Sequence, residues 1–144
     1  DGVQTPANLG ILIRSLCAAG TTGIILPKVG CAPLNPLAIK ASAGVALRAP
    51  IWSCQTAVEA AQLIHKCDIP LYGLDSNGEC IYDTQWPNQA CWVIGNETEG
   101  ISKAVRSSIH QLVAIPMASQ VESLNAAVAV SIVGFELSRQ RMRT

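Results

Sequence analysis

Across residues 124–137 the apolar positions fall into two stripes about half a turn apart: Leu124, Val128, Ile132 and Phe135 on one, Ala126, Val130, Val133 and Leu137 on the other. At roughly 100° per residue both are faces of a single helix, so that helix needs cover on two sides. One cover is its own sheet and the other a second subunit, which the stripe of Ala126, Val130, Val133 and Leu137 is expected to meet; the alternative is a central helix buried wholly by its own chain. Ser123 is suited to cap a helix that starts at Leu124, and capping alone accounts for both Ser123 and Asn125. Just upstream, an apolar run at 112–115 ends at Pro116, which cannot donate to a sheet ladder. The region therefore reads strand, loop, helix.

The remaining pattern alternates in the same way. Leu9, Leu12, Ile13, Leu16 and Cys17 recur at the spacing of one helical face and Gly20 ends the run, with Arg14 towards the edge of the stripe. The β-branched segment 22–26 is a strand closed by Pro27. Residues 35–47, rich in Ala and carrying Lys40, Ser42 and Gly44, make a short helix and turn before a strand near Ile51. A helix over 56–66 turns Val58, Ala61, Leu63 and Ile64 inward. Strand 69–74 follows, then a turn at Asp75-Ser76-Asn77-Gly78, an irregular stretch at 82–88, strand 90–94, loop 95–102 and helix 103–108. Strands alternating with helices predict an α/β fold, a mainly parallel open sheet with helices on both faces. Ligands then belong beyond the carboxyl ends of the strands, where loops 2–8, 95–100 and 116–123 lie.

Length and composition narrow this picture. With 144 residues, 49% apolar and only 4% aromatic, the chain suits one domain whose core is built of Ala, Val, Ile and Leu. The net charge is zero, which argues against a grip on nucleic acid by a large basic field, so any RNA must be held by local patches. Six cysteines lack a C-x-x-C pair and His65 and His110 stand alone, which predicts no metal site. An even cysteine count admits a disulfide framework, but a chain this apolar does not need one; reduced, mostly buried thiols in a cytoplasmic protein are expected. No apolar run approaches the roughly 20 residues of a membrane span, and no signal peptide opens the sequence.

Gly95 to Ser102 invites comparison with the phosphate loop G-x-x-x-x-G-K-[ST] and fails on chemistry. Ile101 occupies the lysine position, and Glu97 and Glu99 would repel a polyphosphate. The loop suits a neutral ligand or one with a positive centre.

Three stretches at these separations carry a family resemblance: 1–14 (DGVQTPANLGILIR), 93–100 (VIGNETEG) and 115–125 with the helix behind it. They resemble the motifs of the SpoU-type, TrmH-like RNA 2′-O-ribose methyltransferases of the SPOUT superfamily. The large-subunit ribosomal RNA guanosine enzymes look closest, through Asp1-Gly2-Val3, Pro27-Lys28 and Ile115-Pro116-Met117. The resemblance implies a carboxyl-terminal deep trefoil knot, which ordinary chain topology excludes. It implies a homodimer packed through the last helix, and S-adenosyl-L-methionine bound at Gly95, Asn96, Gly100, Ile115, Met117 and Leu124. A sulfonium beside Glu97 agrees with the charge of that loop.

For chemistry the resemblance assigns activation of the ribose hydroxyl to Arg14, assisted by substrate phosphate. Arginine ordinarily titrates above roughly 12, so a base and a cationic clamp are both open roles. Asn8 would position Arg14 and the RNA, Glu97 would orient its loop, and Ser123 and Asn125 would fix cofactor and substrate. The competing readings are transfer RNA ribose methylation, a catalytically silent RNA-binding module of the same fold, and a small-molecule α/β enzyme. Enzymes of this subtype usually have a strand and a small RNA-recruiting domain ahead of the first motif. Residues 1–144 therefore read as an excised catalytic domain, which would explain a neutral charge in an RNA enzyme.

Overall fold

A computed structural model describes residues 1–118 and 123–143. The chain runs α1 (Pro6–Ala18), β1 (Ile24–Pro27), α2 (Pro36–Ala41), a 3-10 turn (Val45–Leu47), β2 (Ile51–Cys54), α3 (Ala57–Lys66), β3 (Leu71–Cys80), β4 (Cys91–Val93), α4 (Lys103–Arg106), β5 (Gln111–Ala114) and α5 (Ala126–Arg141). Local chemistry sets most of the helix starts. Pro6 opens α1, where its missing N–H costs nothing. Asn35 Oδ1 accepts from Ala38 N at the start of α2, and Thr56 Oγ1 from Glu59 N at the start of α3. The last helix departs from expectation: its cap is Asn125, whose Oδ1 accepts from Ala127 N at 2.9 Å, and it begins at Ala126 rather than Leu124.

All strand pairs are parallel, as alternation predicts, but the described strands form two sheets and not one. β1 pairs with β2, and β3 lies between β4 and β5. The unpaired edges of β1 and β4 line a mostly apolar cleft of about 550 Å³. Leu12 and Leu16 of α1 and Val130 and Val133 of α5 wall one side of it, and Ala57 and Ile64 of α3 another.

Asp75 to Gly78, expected as a turn after a strand, instead interrupts β3 internally. Val113 of β5 is registered first with Leu74 and then with Glu79, so the polar residues between are looped out of the ladder. Gly78 is required there, since a Cβ would stand 2.3 Å from Val113 N.

On α5, Ala126, Val130 and Val133 are 4%, 1% and 3% exposed, whereas Val128 and Phe135 are 48% and 53% exposed. The stripe expected to meet a second subunit, that of Ala126, Val130 and Val133, is therefore covered by the chain itself, and the Val128 and Phe135 side is the open one. Gly134 makes this possible by bringing α5 against α1, where an added Cβ would press on Ala19 Cβ at 3.1 Å. The thiols are less enclosed than expected: Cys54 is buried, Cys67 is exposed and the other four are intermediate.

Candidate active site

The loops after β4 and β5 emerge at the same end of the sheet, on either side of the β3 excursion, because β4, β3 and β5 are adjacent and parallel. The segment leading into α1 closes that end. The Asp1 amino nitrogen donates to Ile94 O at 2.9 Å, directly after β4, and Val3 O accepts from Ala32 N at 2.7 Å in the loop after β1. Three segments distant in sequence therefore converge.

The post-β4 loop is held by its own atoms. Asn96 and Gly100 exchange backbone hydrogen bonds at 3.0 and 2.9 Å. Asn96 Oδ1 accepts from Thr98 N and Glu99 N, while its Nδ2 donates to Gly2 O at 2.9 Å. Both bounding glycines are needed: Gly100 has φ +69°, and a Cβ on Gly95 would lie 2.3 Å from the Gly100 carbonyl carbon. Asp1 closes the far side, its carboxylate accepting from Ser102 N at 2.8 Å.

At the centre, Asn8 Nδ2 donates to Glu97 Oε1 at 2.6 Å, and Asn125 Nδ2 donates to Asn8 Oδ1 at 3.1 Å. Each amide thus has a defined orientation: Glu97 fixes Asn8, and Asn8 with the α5 amides fixes Asn125. Of the five side chains with expected chemical roles, the fold gathers Asn8, Glu97 and Asn125. It does not gather Arg14 or Ser123. Arg14 lies six residues beyond Asn8 on α1, about 9 Å along the axis, and is exposed without a hydrogen bond or ion pair to any described residue. Asn8 does not position it in the single chain. Ser123 is also exposed, and the capping expected of it falls to Asn125.

Ile115, Met117 and Leu124 are half-buried, the first two directly after β5 and the third just ahead of α5. Residues 119–122 of the third motif lie outside the described residues. The pairing of Arg106 with Asp75 at 2.6 Å, which ties α4 to the β3 excursion, was not anticipated. The aspartate of an Asp-Ser-Asn-Gly turn signals a local cap, not a partner 31 residues away. Among the described residues no three His, Cys, Asp or Glu side chains cluster as metal ligands do.

A sequence model of the SpoU rRNA Methylase family matches residues 1–135, all three of these loops included. The chain belongs to that family. It is 37% identical over 143 residues to the 23S rRNA (guanosine-2′-O-)-methyltransferase RlmB of Xanthomonas axonopodis pv. citri, covering 99% of this chain and 57% of that one. A Mycobacterium leprae protein named as a tRNA/rRNA methyltransferase is 37% identical over 142 residues, with 98% and 46% of the two chains covered. The SpoU methyltransferase AviRb of Streptomyces viridochromogenes, solved in complex with AdoMet, superposes with a TM-score of 0.89 at 32% identity, covering 98% of this chain and 58% of that one. These structures share the α/β architecture of parallel sheets and helices. The chain spans about half the length of the curated relatives it matches.

Proposed function

We propose that this chain transfers a methyl group from S-adenosyl-L-methionine to the 2′-hydroxyl of an RNA ribose, at a guanosine of large-subunit ribosomal RNA. The observation that carries the reading is the Glu97–Asn8–Asn125 relay, which joins one polar side chain from each of the three family loops. Transfer RNA is the alternative substrate, since relatives named for both RNAs match. A silent RNA-binding module would have no need of an oriented polar relay.

The residues present suit the cofactor. Glu97 and Glu99 have no cation paired to them among the described residues, which favours a sulfonium and opposes polyphosphate. The half-buried apolar Ile115, Met117 and Leu124, with the backbone at Gly95, Asn96 and Gly100, suit a flat heterocycle. A bound cofactor would supply an electrophilic methyl group on a cationic sulfonium and would leave as the neutral thioether S-adenosylhomocysteine. The chain's part is to orient the hydroxyl in line and to manage its proton and developing charge. Asn8 and Asn125, already oriented, hold ribose and cofactor; Ser123, exposed two residues before Asn125, would join them only once RNA or cofactor is bound. Arg14, exposed and unpaired, is available to an RNA phosphate or to the hydroxyl.

The third motif would pass through a trefoil knot. A second copy would pack on the open stripe of α5, Val128 and Phe135, and not on the stripe of Val130 and Val133. A strand ahead of Asp1 would fit the cleft between β1 and β4, pairing with both free edges, and a recruiting domain would precede it. No described helix is long and apolar enough to cross a membrane, and a cytoplasmic location would suit the substrate. Calorimetry with S-adenosylhomocysteine tests the reading: binding at micromolar concentrations is expected, and binding no tighter than millimolar by the folded chain would sink it.

A further inference from the structure

The formal charge of zero hides a partition. Residues 2–58 contain four cations, Arg14, Lys28, Lys40 and Arg48, and no Asp or Glu; residues 59–118 contain seven acids against Lys66, Lys103 and Arg106. The fold keeps the first group together. Leu9 and Ile13 of α1, Ile24 of β1, Ala38 of α2 and Ala46 of the 3-10 turn share one buried cluster. Gly10 presses α1 onto α2 so closely that a Cβ would lie 2.3 Å from Ala38 O.

Each of the four cations is exposed, and none forms an ion pair with a described residue, whereas Arg106 and Arg139 each hold a carboxylate. Lys28 stands in the loop tied to Val3 of the first motif by the Ala32 N–Val3 O bond. Lys40 is on the helix that follows that loop, and Arg48 follows the 3-10 turn, whose Val45 and Ala46 pack in the same cluster as Leu16 and Cys17 of α1. The basic layer therefore extends from the loops of the site to the far end of α1. The Asn8–Glu97 bond lies where this layer meets the acidic part of the chain.

We infer that Lys28, Lys40 and Arg48 form a phosphate-tracking surface, over which the RNA strand flanking the reacting nucleotide runs along the α1–α2 layer. The inference rests on the RNA reading above and deepens it. Unpaired like charges on one layer repel each other and attract a polyanion, and each phosphate they neutralise releases condensed counterions. The same partition keeps phosphates away from Glu97 and Glu99, so the acidic loop is free to face a cation. Overall neutrality is thus no bar to RNA: binding depends on the local field.

The test is the salt dependence of binding to a large-subunit ribosomal RNA fragment, by fluorescence anisotropy, for the parent chain and for the triple variant Lys28→Gln, Lys40→Gln, Arg48→Gln. At about 0.7 per phosphate contact on a single strand, losing three contacts should lower the slope of log K against log [salt] by about 2. Affinity at about 50 mM salt should fall at least about tenfold. Replacing Lys66 and Lys103 by Gln on the acidic part should change the slope by less than about 0.7, one contact's worth. Circular dichroism melts establish that the variants fold, and S-adenosylhomocysteine affinity is measured alongside. An unchanged slope in a folded triple variant overturns the surface, as does an equal effect from the Lys66 and Lys103 pair or a parent chain that binds no RNA at low salt. If the parent binds RNA with the expected slope but no S-adenosylhomocysteine, the surface stands and the methyltransferase reading falls.

Discussion

Two stretches of α1 differ in how much the chain does for itself. Asn8 in the first turn is fully engaged, donating to Glu97 and accepting from Asn125, while Arg14 further along is exposed and unpaired. α5 repeats the contrast, with Val130 1% exposed on one stripe and Phe135 53% exposed on the other. Engaged residues stabilise the single chain and fix its geometry. Open residues hold chemistry or apolar surface that only a partner can use, and the two kinds should respond to substitution in opposite ways.

The largest contrast is expected on α5. Val130→Asp places an unpaired charge on a side chain that is 1% exposed and walls an apolar cleft, and should cost on the order of 3 kcal/mol, enough to unfold a marginal domain. Phe135→Asp should change the stability of the single chain by no more than about 0.5 kcal/mol and convert a dimer to monomer. Urea melts and sedimentation separate the two outcomes. A chain that sediments as a monomer at micromolar concentration before substitution would remove the second subunit from the account and leave the open stripe without a known cover.

On α1 and its neighbours the contrast moves from stability to rate. Arg14→Ala should lower single-turnover methyl transfer by about a hundredfold or more, while melting temperature and S-adenosylhomocysteine affinity stay near the parent values. Arg14→Lys keeps charge without the planar fork, so partial recovery would favour a clamp over a geometry-dependent arginine. Asn125→Ala should show the reverse signature, a loss of about 1 kcal/mol from the missing cap in addition to any loss of rate. Should Arg14→Ala retain a rate within about threefold of the parent, short of the hundredfold that a general base contributes, Arg14 has no part in the mechanism.

The local elements were legible because their causes are local. Apolar spacing located α1, α3 and α5, and proline marked the ends of β1 and β5. What pairs with what was not legible. Both stripes of α5 are apolar and the bulkier one, with Val128 and Phe135, is the one left open, so nothing in their pattern says that Ala126, Val130 and Val133 face inward. Ser123 and Asn125 are both good caps, and the one used, Asn125, also donates to the Asn8 amide 117 residues away, a tie no local pattern contains. Asn8 and Glu97, 89 residues apart, met in expectation only through the family resemblance, since neither composition nor spacing relates them. The split into two sheets, with a cleft between β1 and β4, is likewise a matter of non-local pairing.

The smallest effect belongs to a tie between loop and helix. Asp75 is engaged, but at the surface: it accepts from Asn77 N at 2.9 Å and from the Arg106 guanidinium at 2.6 Å. Partial burial pushes its carboxyl up; hydrogen bonds from Asn77 and Arg106 outweigh that, and the net displacement is below the ordinary carboxylate value. A group depressed on folding stabilises the native state above its unfolded value, and the contribution is lost as pH falls through the folded value. Asp75→Asn should therefore cost no more than about 1 kcal/mol near neutral pH, since Arg106 is 40% exposed and water screens the pair. Parent and variant stabilities should converge as pH drops below the ordinary carboxylate range, and the difference at neutral pH should shrink in molar salt. A gap that persists unchanged at acid pH would mean that Asp75 acts by shaping the Asp75–Gly78 excursion and not through its charge.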